Sequence, residues 1–419
     1  MRNSSAASSF LSLGLRLAGC GRVAVGRDCR MAFAGLLPSV LLIGLAAVPG
    51  GAQGMGSGGA AAVAIPMTAD RWTVAAGKVE FHEVDGKPAV DLKDGNYAQH
   101  IRSGVAVLKD FNFRNGTIEY DVLANTSMGA GFSFRRRDDD NYEMFYLRPR
   151  PKCDQAPDCV QYAPETHGVL LWDVFPQYQG PAPLRDGWNH IKLVVSGKRM
   201  LIYVNGAAEP TLKIGRLEGD TEDGGLMLDG PGVFANLTVT PDAVAGLSAD
   251  AEPDATAGDE RYVRHWSLSP FAKLEAGQSP VLADMPGADA KWMTLDAERD
   301  GLVDVSRAYG IPDGREKRTV AWLKTTIHSE KAQEKHVAFG WVREAFVFVN
   351  GQLVFADKNL YMPEAARKAP DGRLSLENGG WMLPLKAGDN EVAIAVVNNF
   401  YGWGLKMRLD DRDGLVAAR

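Results

Sequence analysis

In "NYEMFYLRP" the residues Tyr142, Met144, Tyr146 and Arg148 occupy every second position, with Glu143, Phe145 and Leu147 between them. A period of two belongs to a β-strand, so one face of this segment collects Tyr and Arg while the other is largely apolar. Just upstream, "GAGFSFRRR" alternates Phe132 and Phe134 with Ser133 and Arg135, and the "DDDN" of Asp138 to Asn141 turns one segment into the other. Tyr joins a flat apolar ring to a hydrogen-bonding edge, and Arg presents a rigid fork of donors. Sugar rings offer flat C–H faces rimmed with hydroxyls, so this set of residues suits carbohydrate contact. A plainer reading packs Tyr146 in a core and pairs Arg148 with a neighbouring Asp.

The stretch "CVQYAPETHGVLLWDVFPQYQG" follows, crowding Gln161, Tyr162, His167, Trp172, Asp173 and Gln179 into what reads as a loop-rich segment. Loops on a rigid scaffold are where binding residues concentrate. The ligand contacts expected from both stretches are Arg135, Tyr146, Arg148, Tyr162 and Trp172. A rival chemistry takes Glu143 and Asp173 as the carboxylate pair of a glycoside hydrolase or polysaccharide lyase, which requires both groups in one groove. A third reading makes the protein a surface scaffold for protein partners, whose mark would be a broad, flat apolar patch.

Metal and cofactor signals are thin. His167 has no second His at ligand spacing and reads as structural rather than as a zinc ligand. A structural calcium at Asp138, Asp139 or Asp140 is the sole cofactor these residues could hold, and a solvated turn explains them as well. Neither G-x-S-x-G nor a phosphate-binding Gly-rich loop occurs, which argues against a serine hydrolase of the elbow type and against nucleotide chemistry.

The elements that must position these residues are strands. Gly and Pro number 46 and 22, and short alternating segments are punctuated by turn residues. "LIYVNG" at Leu201–Gly206 and "VFVNG" at Val347–Gly351 each read as a hairpin, because Asn-Gly accepts the positive φ of a tight turn. Nothing around the two phrases repeats. Between them, Pro241 to Asp259 carries Asp and Glu but no Lys, Arg or aromatic residue, the composition of a linker. The expected organisation is all-β: one β-sandwich over 67–240, an acidic Ala/Gly/Pro linker over 241–259, and a second β-sandwich over 260–412.

The order "GTIEYDV", "FSFRRRDDDNYEMFYLRP", Trp188–Gly206 and "FANLTV" resembles the concanavalin A-like lectin and glucanase jelly roll in its laminin-G-like form. That resemblance implies glycan binding or hydrolysis. The glucanases of that fold carry Glu, Asp and Glu at alternating positions of one strand; here Glu119 and Asp121 stand in "IEYDVLA" with Leu123 and Ala124 where a further Glu would be sought. Glu119 and Asp121 therefore read as the outward face of a strand. The second half, with "AFVFVNGQLVFAD" and "LPLKAGDNEVAIAVVNNFYGWGLKMRL", resembles the galactose-binding-like jelly roll that accompanies many secreted sugar-active enzymes. In "NNFYGWG" Trp403 is expected in the core, while Phe400 and Tyr401 could be platform or cap. The two-module arrangement is similar to that of uncharacterised bacterial exported proteins.

At the N-terminus, "LLPSVLLIGLAAV" follows Arg27 and Arg30 and precedes small residues near Ala52, the pattern of a signal peptide and too short for a membrane span. Residues 1–52 are expected to be removed, with Met31 as the working start, and 53–66 to form a flexible leader. "LAGC" at Leu17–Cys20 resembles a lipoprotein box, which would tether the chain at a surface. Loss of five Arg and one Asp with this segment takes the formal charge from −6 to −10 and leaves no footprint for nucleic acid. Cys153 and Cys159 then remain as a local disulfide in a periplasmic or secreted protein.

Overall fold

The computed structural model describes residues 61–96, 99, 101–124, 126, 129–312 and 317–416. The expected signal peptide, Met31, the "LAGC" box and most of the leader lie outside the described residues. Within them the chain is nearly all β, and every strand pairing is antiparallel. No helix among the described residues is long and apolar enough to cross a membrane.

Two eight-stranded sheets make the first sandwich. One is centred on Gly116–Leu123, flanked by Trp188–Ser196 and Gly232–Pro241; the other runs through Val160–Thr166, Asn141–Leu147, Ala130–Asp138, Gly225–Asp229 and Val105–Leu108. Alternation does what it should in Gly116–Leu123, where Ile118, Tyr120 and Val122 are buried between the sheets. Tyr120 stacks on Phe132 of the facing sheet with ring centroids 4.6 Å apart, so the layers are in direct contact. Each such large apolar side chain contributes roughly 1.5–3 kcal/mol on burial. The outward positions hold charge pairs: Glu119 lies 3.2 Å from Lys192, and Asp121 accepts from Lys87, His190 and Asn236.

An eight-stranded and a four-stranded sheet make the second sandwich. Thr319–Ser329, Gly388–Asn398 and Arg343–Val349 form the centre of the larger; Gln333–Trp341 lies between Gly404–Leu409 and Gly379–Leu385 in the smaller. Trp266, Leu323, Phe339, Trp341, Ile394 and Trp403 fill the space between. Both sandwiches belong to one compact unit.

The two Asn-Gly phrases diverge. Val349 pairs with Gln352, so Asn350 and Gly351, both at positive φ, form the tight two-residue turn. After Val204, Asn205 and Gly206 also take positive φ, yet pairing resumes only at Leu212, giving a wider loop. Here the Asn205 side chain donates to Pro183 O and Asn189 Oδ1, which holds the turn open toward the rest of the fold.

The described end of the expected leader and the expected linker are both bonded to the rest of the fold. Val63–Ala64, in the expected leader, pairs with Thr238 and Val239, completing the half of Gly232–Pro241 that Lys87–Leu92 does not reach. The segment 241–259 is bonded along its length: Ala243 O accepts from Thr117 Oγ1, Ala249 O from Lys198 N–H, and Glu252 O from Arg299. Its acidity and lack of aromatics describe its surface, and its backbone carbonyls do the docking.

Gly197 sits in the Ser196–Arg199 turn at φ 52°, and a Cβ there would lie 2.2 Å from Ala249 O. Gly197→Ala is expected to lower stability by about 1–3 kcal/mol and to make the 241–259 segment more sensitive to limited proteolysis. Melting temperature and the proteolytic fragment pattern report both; an unchanged pattern would show that the segment does not depend on this turn.

Candidate functional site

The outer face of the first sandwich's second sheet is set by register. Tyr142 pairs with Glu165, Met144 with Ala163 and Tyr146 with Gln161, while Gly131 lies opposite both Tyr146 and Asp229. These residues turn away from the core on one surface, joined by Trp172 and Met227. The expectation that Tyr142, Met144, Tyr146 and Arg148 share a face is met. That face is covered: Tyr361 and Tyr401, from loops of the second sandwich, pack against it, and Trp172 makes edge contacts with both, at 4.9 and 5.7 Å.

A polar network ties the same spot. The Tyr146 hydroxyl donates to Gln161 Oε1 at 2.6 Å and accepts from Arg148 at 2.8 Å, and Gln161 donates to Trp172 O at 2.6 Å. Burial pushes the Tyr146 phenol up to about 12, so it stays a neutral donor. The Arg148 guanidinium lies over the Tyr146 and Trp172 rings, at 4.8 and 5.4 Å. The plainer sequence reading of this pair is met: Tyr146 is buried and Arg148 reaches Asp158 at 3.5 Å.

Asp158 is the hub. It is fully buried, next to Cys159, whose disulfide with Cys153 closes the loop between Asn141–Leu147 and Val160–Thr166. Its Oδ2 accepts from Arg148, from Arg150 at 2.8 Å and from Arg373 of the second sandwich at 3.1 Å. Arg373 in turn lies 5.1 Å over Trp172 and 5.8 Å from Tyr361. A second bridge across the seam joins buried Asp173 to buried Arg343, and Asp173 Oδ1 accepts from Gly402 N–H at 2.9 Å. Burial pushes the Asp173 carboxyl up while Arg343 pulls it down.

Three of the expected site residues belong elsewhere. Arg135 is not on this face: pairing breaks in a bulge between Phe134 and Asp138, Arg135 takes φ 51°, and its buried guanidinium donates to Arg114 O and Asn115. Tyr162 is not in a loop; it pairs with Phe145 in a strand and points between the sheets, donating to Glu143 at 2.6 Å and accepting from Glu218 N–H at 2.7 Å. Glu143 shares that interior with Tyr162, while Asp173 serves the seam. The hydrolytic pair Glu143 and Asp173 is thus divided between separate networks, each buried and without a common groove. The carboxylates that do lie on the outer face are Glu165 and Asp229, the latter 3.6 Å from Arg102.

Other expectations resolve locally. Asp138 accepts from Asp140 N–H and Asn141, the bonding of a turn. His167, at φ 50°, sits at a hairpin tip. Trp403 is buried in the second core, Tyr401 is at the seam, and Phe400 is 36 % exposed beside it. Glu80, His82 and Asp91 form the one His/carboxylate cluster among the described residues, and Lys78 and Lys93 pair with its carboxylates.

Burial pushes Glu143 up to about 7, against the pull of Tyr162 and Arg135. The folded protein then holds a proton that the unfolded chain releases near 4.5, so stability falls as pH rises from about 4.5 to 7 and levels off above, a difference on the order of 3 kcal/mol at most. Glu143→Gln is expected to melt like the parent at pH 4.5 and above it at pH 8. A constant gap across that range would show that the carboxyl does not titrate there.

No family model and no curated protein matches the chain. Solved structures with similarity include a carbohydrate-binding module from Bacillus subtilis, at 16 % identity and TM-score 0.27 over 41 % of this chain and 92 % of that one. A domain of an extracellular arabinanase from Geobacillus stearothermophilus, in complex with arabinotriose, gives 12 %, 0.29, 41 % and 83 %. A β-glucanase from Bacillus licheniformis gives 11 %, 0.29, 45 % and 100 %. These scores are low, and the sandwich rests on the strand order and register described above.

Proposed function

We propose that this protein binds a carbohydrate at the seam between the outer face of its first sandwich and the loops of its second. The observation that carries the reading is the meeting of Tyr146, Arg148 and Trp172 with Tyr361, Tyr401 and Phe400 at one place, from two sandwiches. Tyr401 and Phe400 offer partly exposed rings whose centroids are 4.5 Å apart, for the C–H face of a sugar. Arg148 and Arg150 present donors at the edge, and Tyr146 and Gln161 hold Arg148 and Trp172 in position. A ligand here would touch both sandwiches, which gives the second one a direct part in recognition.

Export belongs to the same proposal. The disulfide Cys153–Cys159 supports it, because such bonds persist in oxidising compartments. A hydrolytic version of the site has Glu165 and Asp229 as its carboxylates, since these share the sheet face with Tyr146.

The test is a glycan array followed by polysaccharide pull-down with the purified protein, Tyr401→Ala and Tyr146→Phe, with reducing ends assayed in the bound polymer. Binding that weakens about tenfold or more in Tyr401→Ala, with the melting temperature retained and no reducing ends released, is the expected result. Release that stops in Glu165→Gln would establish hydrolysis instead. Retention of full affinity in Tyr401→Ala would remove the seam as the site.

A further inference from the structure

The side chains at the seam are mismatched in charge, and the mismatch bears on the kind of sugar, given the reading of the seam as a glycan site. Arg148, Arg150 and Arg373 all converge on the single Oδ2 of Asp158. Arg373 also reaches Asp371 at 2.9 Å, and Asp371 lies 2.9 Å from Arg367, which stands 4.4 Å over the Tyr361 ring. Glu364 is 3.5 Å from Arg367 with its side chain 79 % exposed. Four guanidinia thus share two carboxylates and one solvated glutamate. This local excess of positive charge stands in a chain of formal charge −6.

The cluster is a built one. Arg373 and Asp158 are fully buried, the disulfide loop holds Asp158, and the Tyr146, Trp172 and Tyr361 rings hold the guanidinium planes. Guanidinium groups only donate, and three of them share Asp158 Oδ2 while Asp158 Oδ1 is buried without a partner, so the exposed edges of Arg148 and Arg150 present donors to an incoming acceptor. Of the three that meet at Asp158, Arg148 and Arg150 are partly exposed, at 15 % and 35 %. Neutral sugars offer hydroxyls that donate as readily as they accept. A carboxylate or sulfate offers acceptors alone, in the planar or forked geometry that Arg matches. On the same sheet face Asp229 is answered by Arg102.

We infer that the glycan taken at the seam is anionic, bearing uronate carboxylates or sulfate esters that pair with Arg148 and Arg150. The charge of Arg373, buried behind them and screened little by solvent ions, reinforces the attraction.

The experiment is affinity electrophoresis and calorimetric titration of the full chain against polygalacturonate, dextran sulfate, neutral dextran and arabinan, and polyglutamate as a polyanion without sugar. Each is run at low and at 300 mM salt. Preference for polygalacturonate or for dextran sulfate over the neutral polymers, lost about tenfold in Arg150→Gln and largely kept in Arg150→Lys, is the expected result. Which of the two polymers binds tells carboxylate from sulfate. Equal binding of a neutral glycan by the parent and Arg150→Gln would overturn the anionic preference and leave the glycan reading standing. Equal binding of polyglutamate would reduce the seam to an ion exchanger, and binding of no glycan would remove both readings. Melting temperatures of both Arg150 variants guard against loss of fold.

Discussion

Two buried carboxylates on the first sandwich, Asp158 and Asp173, each take a buried Arg from the second, Arg373 and Arg343. A charge removed from water is tolerated only when paired, and truncating one partner of such a pair costs about 3–5 kcal/mol. Everything at the seam follows from that requirement. Trp172 is held beside Asp173, Tyr361 and Tyr401 are brought down onto the outer sheet face, and Arg148 and Arg150 are drawn to the Asp158 oxygen from the other side. A third contact, from Arg307 to Glu218 O and Asp220, adds to the same junction. The disulfide has its place in this scheme as the brace behind Asp158.

The interior of the first sandwich carries its own polar network, which reaches the junction at Glu218. Arg135, Glu143, Tyr162, Glu218 and Tyr178 run between the sheets, linked by the 2.6 Å bond of Tyr162 to Glu143 and the 2.8 Å bond of Tyr178 to Glu218. Such groups resemble an active site in a list of residue types, and burial, with their mutual interactions, shifts their titration. They differ from one in having no opening to solvent: Glu143 and Tyr162 are fully buried. Their physical role is to fix how the two sheets sit against each other.

Aromatic side chains at the seam work in two ways. Tyr146, Trp172 and Tyr361 have guanidinium groups over their rings, so they set the direction of charged donors. Phe400 and Tyr401 retain exposed surface beside them. Charge at one edge and ring surface at the other come together here from two sandwiches.

Alternation in "NYEMFYLR" was enough to put Tyr142, Met144, Tyr146 and Arg148 on one face, because a strand's side-chain period is a local property of the backbone. The turn at Asn350–Gly351, the burial of Trp403 and the Cys153–Cys159 bond were legible for the same reason: each depends on residues close in the chain or on an apolar run. The bulge that turns Arg135 inward was not legible, since it arises from pairing with Gly225–Asp229, far along the sequence. Tyr162 was misplaced because its side is decided by register against Phe145. Arg343 and Arg373, 170 and 215 residues from Asp173 and Asp158, carried no local sign of their partners. The sequence by itself determined the strands, their apolar faces and the kind of residue available. Only the tertiary structure decided which carboxylates stay paired in the dark and which aromatics meet at the seam, because burial and charge pairing are settled between segments that the chain keeps far apart.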